Sequence, residues 1–198
     1  MGGSFNPAHA GHRQISVAAM RRLALDEVWW LVSPQNPLKP AAGMAPLAAR
    51  LASARAAARR QPRIKVGAIE VELGTRFAVD TVAALRRRHG GTRFVWLVGA
   101  DILPELHRWY RWRALLHSVA VAVVARPRYM GAAMRSPAMG WARRWRRNAD
   151  AVADWPKWPL PAVMVLDTPA NPLSATAIRR LDPDWATRKR EMIGRIVD

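Results

Sequence analysis

The chain reads as a doubly wound α/β fold on a parallel sheet, and three observations predict it. Short apolar runs rich in Val, Ile, Leu and Trp alternate with stretches of helical periodicity. Strands separated in this way by helices call for right-handed crossovers and a parallel sheet. At 198 residues, 51% of them apolar, the chain is long enough to bury a substantial core as one domain spanning 1–198.

In order along the chain, Ile15, Ala18, Ala19 and Leu23 fall at helical spacing, and Val28 to Val32 follow as a strand. An Ala/Arg-rich helix runs from about Leu47 to Arg60, then a strand from Ile64 to Val71. A helix from Ala78 to Arg88 ends at the Gly90-Gly91 stop signal. Phe94 to Val98, Val119 to Val124 and Ala162 to Leu166 read as further strands, the last leading into C-terminal helices. The stretch 128–161 differs in composition, with Trp141, Trp145, Trp155, Trp158 and an arginine cluster; it reads as an insertion holding one basic amphipathic helix and an irregular loop. In such sheets ligands bind beyond the carboxyl ends of the strands.

Composition narrows the function classes. There is no cysteine, so disulfides and thiolate metal sites are excluded. No secretory pattern and no apolar run of about 20 residues is present, so a cytoplasmic protein without a membrane partner is expected. The net charge of +18 is nearly all arginine; the lysines are Lys39, Lys65, Lys157 and Lys189. Because the basic residues are spread along a chain also rich in Ala and Trp, attraction for anionic substrates explains them better than a dedicated nucleic-acid surface.

The most informative residues are Gly2-Gly3-Ser4-Phe5-Asn6-Pro7-Ala8-His9-Ala10-Gly11-His12. A glycine-rich turn admits a phosphate close to backbone N–H groups. A helix starting near Gly11 would add its positive dipole end and unpaired N–H groups, and His9 and His12 would add side-chain donors. This string resembles the GG(S/T)F(D/N)PxHxGH signature of the HxGH-type nucleotidyltransferases, and within them the bacterial nicotinate-nucleotide adenylyltransferases. The resemblance covers most of the chain from Gly2 to Arg179 and lapses in the Trp-rich stretch and the final helix.

The resemblance implies transfer of AMP from ATP to nicotinate mononucleotide, with Mg²⁺, giving deamido-NAD and pyrophosphate. It implies catalytic roles for His9, His12 and Arg179. Gly2, Gly3, Ser4, Phe5, His9, His12, Gly99, Asp101, Ser174, Thr176 and Arg179 would bind ATP. Ser174 to Arg179 is similar to the family's (I/L)SxTxxR motif; the Ser and Thr hydroxyls and a forked guanidinium suit phosphate oxygens. Gly99-Ala100-Asp101 is similar to its GxD turn, where the carboxylate would meet a ribose hydroxyl or, through water, Mg²⁺. No protein metal site is implied.

On the acceptor side Lys39, Arg50, Phe77, Trp109 and Arg126 would bind the mononucleotide, Lys39 its phosphate and Trp109 the pyridine ring. Relatives carry a Tyr-Thr pair where Phe77 and Ala78 stand, so two hydroxyls are missing near the expected nicotinate carboxylate. Nicotinamide mononucleotide or another phosphate acceptor, a nucleotide-binding regulator, and a non-catalytic basic nucleic-acid-binding protein on this scaffold are the rival readings. A homo-oligomer is left open. Relatives also show an apolar strand directly before the glycine pair, whereas only Met1 precedes Gly2. The expectation is an N-terminally truncated gene product lacking its first central strand.

Overall fold

A computed structural model describes residues 1–35, 38, 42–148, 154–168 and 173–187. The chain forms two compact units, each with its own parallel sheet. The first comprises Met1–Met20, Leu25–Gly74 and Asn171–Asp198; the second comprises Arg21–Ala24 and Thr75–Ala170.

In the first unit the sheet order is β1 (Gly2–Gly3), β2 (Val28–Val32), β3 (Ile64–Gly67). All pairs are parallel, with Gly2 opposite Leu31 and Val28 opposite Ile64. The glycine pair itself forms the two-residue strand β1. Its ladder gains one more rung on each side, because Leu31 N–H donates to Met1 O (3.0 Å) and Ser33 N–H to Gly3 O (2.9 Å). In β2 the side chains of Trp30, Leu31 and Val32 are buried, as a strand covered on both faces requires. Helix α1 (Ala10–Arg22) follows β1, and α2 (Leu47–Ala58) packs on β2 and β3.

The strand expected to run to Val71 stops at Gly67, and Ile69–Glu72 form the single-turn helix α3. The reason is register: β3 pairs with Val28 to Leu31 and β2 ends one residue later, so a longer β3 would have no ladder to join. Glu70 is buried there, accepting a hydrogen bond from Ser33, and burial pushes its carboxyl above the ordinary 4.5.

In the second unit the order is β4 (Val95–Gly99), β5 (Ala120–Val124), β7 (Val163–Leu166), β6 (Arg146–Arg147). All five residues of β5 are buried, and each such valine contributes about 1.5–3 kcal/mol. Helix α4 (Ala78–Arg88) ends where the sequence placed it, and α5 (Leu103–Leu106) and α6 (Trp112–Ser118) follow β4.

The stretch 128–161 is organised differently from expectation. Instead of one basic helix it contains most of α7 (Pro127–Met134), then α8 (Pro137–Ala142), a 3₁₀ turn and the edge strand β6. Pro127 and Pro137 open separate helices because proline suits a first turn and interrupts a helix elsewhere. Trp155 is buried, its indole donating to Leu23 O at 2.9 Å. Trp141 and Trp145 pack on one another at 4.3 Å, and Trp141 packs on Trp112 at 5.1 Å. The tryptophans of this stretch are therefore packing residues first. Helix α9 (Ala175–Leu181) belongs to the first unit. The expected final helix falls on residues outside the described ones, and no helix among the described residues is long and apolar enough to cross a membrane.

Candidate functional site

The loop from β1 to α1 is shaped by its small residues and its ties. A Cβ on Gly3 would stand 3.4 Å from the Phe5 ring, which folds back over the strand because Phe5 adopts a positive φ of 47°. Phe5 stacks on Trp30 at 5.2 Å and lies 5.0 Å from the His12 ring. Asn6 braces the loop on both sides of its amide, donating to Gly43 O (2.9 Å) and accepting from Ala45 N–H (3.2 Å). Ala8 N–H donates to Ser53 Oγ at 3.2 Å.

The two histidines are set by main-chain amides. His9 Nδ1 accepts from Gly11 N–H and His12 Nδ1 accepts from His9 N–H, both at 3.2 Å. In a neutral imidazole whose Nδ1 accepts, the proton sits on Nε2, so both rings carry a donor at the far nitrogen. The rings are 4.0 Å apart. Below them the Trp30 indole donates to Ser16 Oγ, which donates to His12 O, each at 2.8 Å. That relay fixes the helical turn from which His12 projects.

The first-turn amides of α1 differ from expectation. Gly11 N–H is taken by the His9 ring and His12 N–H by His9 O (2.9 Å). The helix end thus offers its dipole and two imidazoles rather than a row of unpaired amides. Ser4 Oγ, by contrast, is buried without a hydrogen-bond partner among the described residues.

Helix α9 supplies the second group in this unit. Ser174 is its N-cap, accepting from Ala177 N–H at 3.1 Å. Arg179 donates to Asn6 O at 2.5 Å and to Thr176 Oγ1 at 3.3 Å. The tertiary structure therefore ties Arg179, and through it Thr176, to Asn6 in the loop that carries His9 and His12, across more than 160 residues of sequence.

Arg50, expected to contact substrate, is 1% exposed, and its guanidinium donates to the carbonyls of Ser4, Ser33, Pro34 and Ala45. Burial pushes its pKa down. Lys39 lies outside the described residues, as do Asn171 and Pro172 ahead of α9.

In the second unit parallel register does the positioning. Gly99 closes β4 opposite Val124 at the end of β5, so Asp101 and Arg126, each two residues further on, meet with Oδ1 and Nη1 3.4 Å apart. A Cβ on Gly99 would stand 2.3 Å from Asp101 Oδ1, so only glycine leaves the carboxylate where it is. Phe77 precedes α4, its carbonyl accepting from Asp80 and Thr81 N–H, and its ring packs on Tyr110 at 4.5 Å. Trp109 is half-buried and, among the described residues, has no aromatic or guanidinium partner on its ring. Ser16, Trp30, Ser53 and Tyr110 escaped sequence reasoning. The one signal available was Trp30, a strand indole whose N–H must find a buried acceptor.

Among the described residues no group of three or more His, Cys, Asp or Glu could hold a metal ion. Asp101, whose Oδ1 faces the Arg126 guanidinium, is a lone carboxylate suited at most to a single or water-mediated contact to a cation.

Residues 1–181 match the cytidylyltransferase-like family. A relative from Erythrobacter litoralis, described as "Probable nicotinate-nucleotide adenylyltransferase", is 53% identical over 190 residues, covering 96% of this chain and 86% of its own. One from Cereibacter sphaeroides with the same description is 52% identical over 179 residues, covering 90% and 94%. The Plasmodium falciparum nicotinic acid mononucleotide adenylyltransferase complexed with NaAD superposes with a TM-score of 0.68 over 99% of this chain and 91% of that one. At 12% identity that likeness bears on the fold alone. With the family match spanning nearly the whole described chain, the protein belongs to the cytidylyltransferase-like family, alongside its nicotinate-nucleotide adenylyltransferases.

Proposed function

We propose that the chain transfers the adenylyl group of ATP to nicotinate mononucleotide, giving deamido-NAD and pyrophosphate as a cytoplasmic step of NAD synthesis. The observation that carries this reading is the pair of imidazoles at the head of α1, each held by a main-chain amide on Nδ1 so that Nε2 is the donor. Relatives of over 50% identity bearing that activity in their description support it.

The acceptor's phosphate oxygen attacks the α-phosphorus of ATP, and the bond to the bridging oxygen breaks to release pyrophosphate. That nucleophile is already ionised, so no general base is required. Catalysis is then positioning together with stabilisation of charge on the α-phosphate and the leaving group. His9 and His12 serve the ATP phosphates, His12 at the transition state, while Ser174, Thr176 and Arg179 hold the β and γ groups. Gly2 and Gly3, in β1, and Ser4 and Phe5, in the loop that follows, lead into the two histidines. Asp101 takes a ribose hydroxyl, with Gly99 leaving it room. Lys39 and Arg126 take the acceptor's charge, and Trp109 stacks on its pyridine ring. Asp101 would hold, directly or through water, a Mg²⁺ brought by ATP, and that ion would supply charge neutralisation for the pyrophosphate.

The test is pyrophosphate release with ATP, Mg²⁺ and a panel of mononucleotides. Release with nicotinate mononucleotide at kcat/KM well above the amide is expected; no release with any acceptor overturns the reading. A second reading, preference for the amide, is favoured by one observation. Phe77 and Ala78 offer no hydroxyl where the relatives' motif has two. Faster turnover of nicotinamide mononucleotide would establish it.

A further inference from the structure

We infer that Arg50 is a positioning residue that sets the glycine loop and the loop after β2 as one unit, an inference that rests on adenylyl transfer as the reaction. Its guanidinium donates to Ser4 O at 2.9 Å in the glycine loop and to Ala45 O at 2.8 Å before α2. It also donates to Ser33 O at 2.6 Å and Pro34 O at 2.8 Å, where the stretch containing Lys39 begins.

These carbonyls are the negative ends of peptide dipoles in segments that must receive phosphates. A carbonyl held on a cation cannot swing toward an incoming anion. Because a trans peptide is planar, anchoring Ser4 O also fixes the Phe5 N–H in the opposite direction, and anchoring Pro34 O does the same for Gln35. One rigid planar fork thus sets the peptide planes of two loops that the sequence separates by about 30 residues. An apolar side chain would fill this place without the desolvation that lowers the arginine's pKa. What it could not do is orient four carbonyls at once. A lysine has the charge but lacks the fork, so it cannot replace the geometry.

The consequence is coupling. Arg50 touches neither substrate, yet its loss should be felt by both. In Arg50→Lys, the KM values for ATP and for the mononucleotide are expected to rise together, each by about tenfold or more, the scale of hydrogen bonds to a charged group. Arg50→Ala should behave likewise, with guanidinium ion at millimolar concentration lowering both KM values again. Leu85→Ala, a core truncation in the second unit, serves as the control for lost stability and should leave both KM values unchanged.

Variants of an active enzyme that keep wild-type KM for both substrates, or that alter only one, overturn the inference. If the variants do not fold, hydrogen exchange at the Arg50 Nε–H of the wild-type protein is followed by NMR. It should slow further on adding ATP alone or the mononucleotide alone, and exchange indifferent to either substrate overturns it. A wild-type protein that binds ATP but releases no pyrophosphate counts against adenylyl transfer instead, and the exchange measurement with ATP then decides the role of Arg50.

Discussion

The two sheets place functional residues by opposite means. In the second unit β4 and β5 pair over five residues, and the ladder alone brings Asp101 to Arg126 once each strand has ended. In the first unit β1 pairs over two residues, too few to hold the loop that follows. There the positions come from side chains: Arg50 and Arg179 take the carbonyls of Ser4 and Asn6, Ser53 takes the Ala8 amide, and Trp30 stacks under Phe5. Where backbone pairing is long, register does the work and almost any apolar strand sequence would serve. Where it is short, named polar residues must substitute, and each becomes a point of failure.

The largest expected effect lies in the side-chain-held loop. His12→Ala should lower kcat by about 10²–10³, equivalent to roughly 2.7–4 kcal/mol, the loss typical of one donor at a developing charge. The fold should be kept, with a modest drop in melting temperature from the lost acceptor for His9 N–H, since the His12 carbonyl still accepts from Ser16. Near-normal turnover would remove His12 from the mechanism.

Next comes a break in the register-held site. Gly99→Ala forces Asp101 away, because the new methyl would meet its carboxylate at 2.3 Å. A stability loss of about 1–3 kcal/mol, together with a raised KM for ATP, is expected from melting curves and steady-state kinetics. Unchanged KM would mean that Asp101 is not needed where it stands.

A smaller effect attends Trp109→Ala. Removing an aromatic platform should raise KM for the mononucleotide about threefold to tenfold, in line with roughly 0.5–1.5 kcal/mol for ring stacking, and leave KM for ATP alone. Equal changes in both would reassign Trp109 to packing.

The smallest effect concerns Glu70, the buried acid beside the loop end. Because its folded pKa is raised, the native state binds the proton more tightly than the unfolded chain. Its contribution is therefore most favourable at low pH and is lost as pH rises from 4.5 through the folded value. Glu70→Gln should melt about 2–4 °C higher than wild type at pH 8, for a gain on the order of 1 kcal/mol, and show no gain near pH 4. A variant less stable at pH 8 would mean that the Ser33 hydrogen bond outweighs burial.

Much of this was legible in the chain. The α/β class and most strand and helix positions follow from periodicity and glycine placement, which are local, while both phosphate motifs were legible through their resemblance to a family's signatures. Three readings needed the folded molecule. The strand ending at Gly67 was cut short by its partner's length, which no property of residues 64–71 encodes. In the stretch 128–161 the edge strand Arg146–Arg147 formed because β7 offered it a free edge. Arg50 looked like a surface charge for a ligand, since a buried arginine and an exposed one are written alike.

The sequence by itself determined the inventory: a glycine loop with two histidines, a capped Ser-x-Thr-x-x-Arg turn, and strands apolar enough to be covered on both faces. Only the tertiary structure decided how those pieces are held. In the loop after β1 the Ser4 and Asn6 carbonyls and the Ala8 N–H find partners far along the chain. Whether a partner is a strand, a serine or a guanidinium depends on what folding brings within 3 Å. That is why His9 and His12 could be named from their spacing, while the buried arginine that fixes the loop beside them could not.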